Sequence, residues 1–257
     1  MSYPDWFDRI VRCPETGETL SRRPECYIRS DGLQYPIING IVSIAYPRSP
    51  GGQDASLNRF YNVIAPFYDW SERFFGRLIT GLDVVTGREE IVSRLPITRG
   101  MRLLEVSPGP GVFQKLLRAR LTDEGALVAL DLSLNMLRQC QVRSAGQNVH
   151  LVHGNAQSLP FADNSFDGLF HFGGVNLFNV PGKAIREFIR VVRRDGLVSW
   201  GDEGFSRNYP YGNRRKILAR INPGFLKPIP VIPESLHRTE VHEVYGGLGY
   251  LVVAYKT

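Results

Sequence analysis

One run, Leu103-Leu104-Glu105-Val106-Ser107-Pro108-Gly109-Pro110-Gly111, constrains the fold of this chain more than any other stretch. An apolar strand that reaches a carboxylate, turns on small residues and leads into a helix brings bare backbone close to a ligand. Asp131 lies twenty residues beyond Gly111, at the end of the next apolar run, Ala126 to Leu130. Two strand ends with carboxylates beside a glycine-rich turn predict a pocket for a nucleoside-containing cofactor.

The segments around this run alternate between the two periodicities. Strands are predicted at Arg102 to Val106, Ala126 to Leu130, His150 to His153, Phe166 to Phe172 and Leu197 to Gly201. Helices are predicted between them at Val112 to Arg120, Ser133 to Ser144 and Gly182 to Val192, the last with Ile185, Phe188, Ile189 and Val192 at helical spacing. Strands separated by helices predict an α/β, doubly wound, mostly parallel sheet. Val241 to Tyr245 and Gly249 to Tyr255, around Gly246-Gly247, predict a C-terminal antiparallel hairpin at or near the sheet edge.

The turn-rich stretch from Pro47 to Asp54 divides the chain. Residues 1–48 are expected to form a small β-rich segment, with short strands at Glu25 to Arg29, Gln34 to Ile37 and Ile41 to Ala45 parted by Asp31-Gly32 and Asn39-Gly40. Residues 55–257 are expected to form the α/β domain, opening with a helix around Leu57 to Phe75. The 257 residues suffice for one such domain and a small appendage. The excess of 31 Lys and Arg over 25 Asp and Glu is modest and suits a soluble basic enzyme as well as a partner of nucleic acid or anionic lipid. Three cysteines are too few for a disulfide framework, and no stretch approaches the roughly 18 apolar residues of a membrane span. The expected location is cytoplasmic, with peripheral membrane contact left open.

The ligand can be narrowed from the loop itself. A dinucleotide loop prefers a third glycine where this chain has Gln114, and Glu105 would meet a pyrophosphate with like charge. A ligand with a cationic amino acid end and no phosphates suits Glu105 better, and Asp131 is placed to accept both hydroxyls of a ribose. S-adenosylmethionine has that composition.

These residues resemble the class I S-adenosylmethionine-dependent methyltransferases. Glu105-x-Ser107-x-Gly109-x-Gly111 is similar to that family's first motif, with Ser107 in place of the usual first glycine. The resemblance extends through Asp131, the stretch from Gly154 to Phe161, Phe166-Asp167 and the run from Glu187 to Gly196. It implies a Rossmann-like methyltransferase fold, with S-adenosylmethionine bound and S-adenosylhomocysteine released. The cofactor-binding residues it implies are Glu105, Val106, Ser107, Gly109, Gly111, Asp131, Leu132, Asn155 and Ala156. Asn155 stands where an acidic residue commonly meets the adenine amine. Tyr61-Asn62-x-x-Ala65-x-x-Tyr68-Asp69 resembles the helix that caps the cofactor in methyltransferases of quinone and related small-molecule biosynthesis, which adds Tyr61 and Tyr68 to the set.

The first segment resembles a zinc-ribbon-like domain found before some methyltransferases, through Cys13-Pro14, Cys26 and Tyr35-Pro36-Ile37-Ile38-Asn39-Gly40. A structural zinc needs four ligands. Thr16 occupies the place of one cysteine and Cys26 is alone in the second pair, so no metal is expected. His171, at the carboxyl end of its strand, is the candidate catalytic base for an acceptor that holds its proton at neutral pH. Asp202 and Glu203 are second candidates. The proline-rich stretch from Asn222 to Pro233 is expected to cover a lipophilic acceptor with Phe225, Leu226, Ile229, Val231 and Ile232. The reading that follows is C- or O-methylation of a small apolar or aromatic acceptor. An RNA base methyltransferase and a non-catalytic S-adenosylmethionine-binding regulatory protein are the alternatives.

Overall fold

The computed structural model describes residues 3–47, 83–206, 209–210, 212–221 and 223–257. The predicted helix at Leu57 to Phe75, and with it Tyr61 and Tyr68, lies outside the described residues.

The strands of the α/β region are β5 (Arg102–Val106), β6 (Ala126–Asp131), β7 (Val149–His153), β8 (Phe166–Phe172), β9 (Val192–Glu203), β10 (Leu236–Val244) and β11 (Gly249–Lys256). Those of the first segment are β1 (Ser21–Arg22), β2 (Cys26–Ile28), β3 (Gln34–Ile38) and β4 (Ile41–Ser43). Among the described residues they form one sheet in the order β1-β2-β3-β4-β7-β6-β5-β8-β9-β11-β10. From β4 to β9 neighbouring strands run parallel, and β11 is antiparallel to both β9 and β10. The closing hairpin is thus present, with β11 inserted inside the sheet and only β10 at the edge.

Helices cover both faces, as the burial of both sides of β5, β6 and β7 requires. On one face α2 (Val84–Ser93), α3 (Gln114–Leu121) and α4 (Leu134–Arg143) pack Ile91, Leu117, Leu121, Leu137 and Cys140 against Leu103, Leu127, Phe170 and Leu251. On the other, α5 (Pro181–Val191) packs Ile185, Phe188 and Ile189 with Leu104, Leu169, Trp200 and Val252. Proline at the start of α5 lacks only a donor that the first turn leaves unpaired. Ser133 caps α4 by accepting from Met136 N at 3.2 Å.

The first segment joins this core directly. The helix α1 (Asp5–Ile10) contributes Phe7 to the face of α5, and β4 extends the sheet by pairing with β7, Val42 opposite Val152 and Ser43 opposite His153. Tyr3 fastens the seam: its hydroxyl donates to Leu151 O at 2.5 Å and accepts from Val42 N at 3.1 Å.

Candidate cofactor pocket

Parallel pairing in register brings the carboxyl ends of β5, β6 and β8 to one edge of the sheet, with Val106 between Leu130 and His171. The chain leaves β5 through Ser107, whose N–H continues the ladder to Leu130 O at 2.7 Å. Ser107 then takes φ +55°, the left-handed region that an L side chain enters at about 1–2 kcal/mol. The family's usual glycine avoids that cost, and this chain bears it. Gly109 also has φ +55°, and nothing stands within 4 Å of where its Cβ would project, so the loop offers an open cradle there. At Gly111 a Cβ would meet Cys140 Sγ at 2.9 Å and Gln114 Cγ at 3.0 Å. One glycine serves ligand approach; the other seats the loop on α4.

Asp131 faces this loop and is 8% exposed. One oxygen accepts from Gly109 N at 3.0 Å and the other from Ser133 N at 2.8 Å. Each carboxylate oxygen retains acceptor capacity, so the group holds the loop and still has lone pairs for a diol. Burial pushes its pKa up to about 6 despite the backbone donors. Glu105 is almost fully enclosed at 1% exposure and accepts from the Gln114 amide. Burial, then the charge of Asp131, pushes Glu105 up to about 8. Gln114, notable in the sequence only as a missing glycine, is thus the partner that keeps a buried carboxyl hydrogen-bonded.

The remaining predicted contacts gather on the same edge. Gly154 N donates to Asp131 O at 2.9 Å, which sets the β7 loop beside the β6 loop. Asn155 and Ala156 are both 6% exposed. Asn155 Oδ1 accepts from Gln157 N at 2.9 Å, so the oxygen expected to meet an adenine amine already closes its own turn and has one lone pair to spare. Val106 is fully buried and offers its backbone; Leu132 is half-buried beside Asp131.

His153 was not singled out by the sequence, yet it links this pocket to the first segment. Its Nε2–H donates to Leu132 O at 3.1 Å while Nδ1 accepts from Ser43 Oγ at 2.8 Å. Its place at the carboxyl end of β7 was the only available signal. His171 reaches the pocket from below: Nδ1–H donates to Val106 O at 2.9 Å, and the ring is sealed from solvent between Phe178 and Phe188. Burial lowers its pKa, so the imidazole is neutral with Nε2 as a bare lone pair. Asp202, a second candidate, instead folds the loop after β8, accepting from Gly174 N and Asn176 N at 2.9 Å each.

Two other expectations meet the structure differently. Phe225 packs into a small core with Leu218 and Leu248, and Ile232 packs on the main core, whereas Leu226 and Val231 are 63% and 89% exposed. The predicted apolar underside over an acceptor is therefore not formed by Leu226 and Val231. The Cys13 thiol lies 3.2 Å from Tyr35 Oη, and Arg29 Nη1 donates to it at 3.7 Å. Burial opposes its ionisation, but hydrogen bonds led by Thr16 and Tyr35 outweigh that and lower it to about 7. Thr16, at the place of a missing ligand, thus serves its neighbour by hydrogen bonding.

Comparison with known proteins supports the resemblance over the middle of the chain. Residues 104–199 match the methyltransferase domain family. Over these residues the chain carries a methyltransferase domain similar to those of class I S-adenosylmethionine-dependent enzymes. It is 37% identical over 151 residues to the demethylmenaquinone methyltransferase of Geobacillus kaustophilus, covering 57% of this chain and 62% of that protein. It is 32% identical over 152 residues to that of Listeria welshimeri, with the same coverage. The match thus spans less than two thirds of these curated relatives. The domain also superposes on an S-adenosylmethionine-dependent methyltransferase from Aquifex aeolicus, with TM-score 0.51 and 18% identity over 66% of this chain and 89% of that one. Haemonchus contortus phosphoethanolamine N-methyltransferase 2 shares the fold at TM-score 0.61 and 17% identity, over 82% of this chain and 61% of that one.

Two outcomes test this geometry. Ser107→Gly relieves the left-handed strain, and denaturant unfolding should show a gain of about 1 kcal/mol. For Glu105 the folded value of about 8 exceeds the ordinary 4.5, so the folded chain holds an extra proton between them and stability rises as pH falls through that range. Melting temperatures followed from pH 8 to pH 5 should rise more steeply for the natural chain than for Glu105→Gln; parallel profiles would contradict a buried, protonated Glu105.

Proposed function

We propose that this protein transfers a methyl group from S-adenosylmethionine to a small quinone-like aromatic acceptor. The observation that carries the cofactor reading is the pairing of the open cradle at Gly109 with the buried Asp131 carboxylate, a diol acceptor without a phosphate site. The acceptor class follows the two relatives named demethylmenaquinone methyltransferase. No helix among the described residues is long and apolar enough to cross a membrane.

When bound, S-adenosylmethionine supplies an electrophilic methyl group on a sulfonium, ready for in-line displacement. The chain's part is to bind, orient and exclude water. Asp131 accepts from the two ribose hydroxyls with its unused lone pairs, while Gly109 and Ser133 hold it in place. Glu105 lies beneath the loop as counter-charge for the amino acid end, and gives up its proton as that cation arrives. Asn155 and Ala156 border the base, with Tyr61 and Tyr68 as further contacts from the helix expected at Leu57 to Phe75. His171 Nε2 takes the acceptor's proton where one must leave, which requires Phe178 and its loop to yield as the acceptor enters.

Asp131→Ala removes the acceptor of two charge-assisted hydrogen bonds, and calorimetry should show S-adenosylmethionine binding weakened by about 100-fold or more. Unchanged affinity would place the ribose elsewhere. At pH 7 the free chain holds a proton on Glu105, so binding should release part of a proton, visible as a binding heat that changes with the ionisation heat of the buffer. Heats that do not vary with buffer would remove Glu105 from the cationic end.

A further inference from the structure

Four buried polar atoms without a partner lie on one face of the sheet, next to the pocket just described: His171 Nε2, Asn176 Nδ2, Trp200 Nε1 and Tyr250 Oη. Their residues are all at most 8% exposed. His171 stands opposite Trp200 across β8 and β9, and Asp202 stands opposite Tyr250 across β9 and β11. Alternation along β9 puts Trp200 and Asp202 on the same face. The four residues therefore form a contiguous group at the carboxyl end of the parallel strands, where open α/β sheets bind ligands.

Asn176 is brought there by its backbone. Asp202 Oδ2 accepts from its N–H at 2.9 Å, and Lys227 Nζ donates to its carbonyl at 2.6 Å, which ties the segment after β9 to the loop after β8. Its side-chain amide turns toward the Tyr250 phenol and has no other partner among the described residues. Burial, then the Asp202 carboxylate, pushes that phenol above its ordinary range, and the neighbouring Asn176 amide draws it back. A buried donor without a partner costs about 1–3 kcal/mol, so several in one place call for a missing acceptor.

We propose that Asn176 Nδ2 and Tyr250 Oη, with Trp200 Nε1 behind them, form a donor subsite for a neutral oxygen, phenolic or carbonyl, on the methyl acceptor. Asn Nδ2 and Trp Nε1 only donate, so the ligand atom must accept. Asp202 lies alongside with its charge, which disfavours a carboxylate or phosphate and favours an uncharged oxygen. Such an oxygen fixes the ring, and hence the carbon or oxygen that receives the methyl group. The subsite makes and breaks no bond; it orients the acceptor through hydrogen bonds that close only when the ring is seated. This inference rests on the methyl-transfer reading above and names the part of the acceptor that this chain grips.

The test compares three probes on the full chain, with and without S-adenosylhomocysteine: 1-naphthol, naphthalene and 1-naphthoate. In the natural protein 1-naphthol should bind about 10-fold tighter than the other two, the value of one to two hydrogen bonds. Tyr250→Phe should bring 1-naphthol toward the affinity of naphthalene, leave naphthalene and S-adenosylhomocysteine binding unchanged, and leave the melting temperature nearly unchanged, because among the described residues the Asn176 amide is the hydroxyl's one internal neighbour. Asn176→Ala should act in the same direction. Equal binding of 1-naphthol and naphthalene, or loss of both probes alike in Tyr250→Phe, would overturn the subsite. A melting temperature lowered by several degrees in Tyr250→Phe would also overturn it, since the hydroxyl would then serve a buried water in the free protein. If S-adenosylhomocysteine fails to bind while the naphthol contrast holds, the methyl-transfer reading falls and the oxygen subsite stands.

Discussion

Parallel pairing of β5 with β6 on one side and β8 on the other holds the rest of the molecule in place. It aligns Val106, Leu130 and His171 at one edge, and the Ser107 N–H bond to Leu130 O carries the ladder one residue beyond the strand. Beyond that bond Ser107 enters the left-handed region, and the turn that follows leaves the cradle at Gly109 open. Asp131 on β6 and His171 on β8 then brace the turn from either side, through Gly109 N and Val106 O. Strand register, loop strain and pocket are one arrangement.

Electrostatics in this pocket run against the usual preference for water. Two carboxyls, Glu105 and Asp131, sit close enough for the charge of Asp131 to raise Glu105, and burial raises both. Without a cation nearby the cheaper state keeps a proton on Glu105, while one of its oxygens accepts from the Gln114 amide nitrogen. In the proposed function a cationic ligand reverses that balance by supplying the counter-charge. The candidate pocket thus carries the cost of desolvation as well as that of backbone conformation.

The first segment belongs to the same mechanical unit. By adding β4 to the edge of β7 it places Ser43 against His153, and His153 in turn holds the carbonyl of Leu132 next to Asp131. Tyr3 stitches the same seam from the other end of the chain segment. A position near the amino terminus is thereby two hydrogen bonds from the pocket wall.

Local pattern alone determined much of this. The alternation of apolar runs with helical spacing located β5 to β9 and the helices between them to within a few residues, except that β9 begins at Val192, five residues early, because Val192 pairs with Phe166 of β8 ahead of a shift in register. The run from Glu105 to Gly111 and the carboxylate at Asp131 marked a candidate pocket because close backbone approach demands small residues wherever it occurs. Tertiary structure alone decided what those residues do to one another. That Gln114 would partner Glu105, that β4 would meet a strand more than a hundred residues away, and that His171, Asn176, Trp200 and Tyr250 would share one buried face depend on register between distant strands. Register is a property of pairs of segments, set by packing across the sheet, and no single segment carries it.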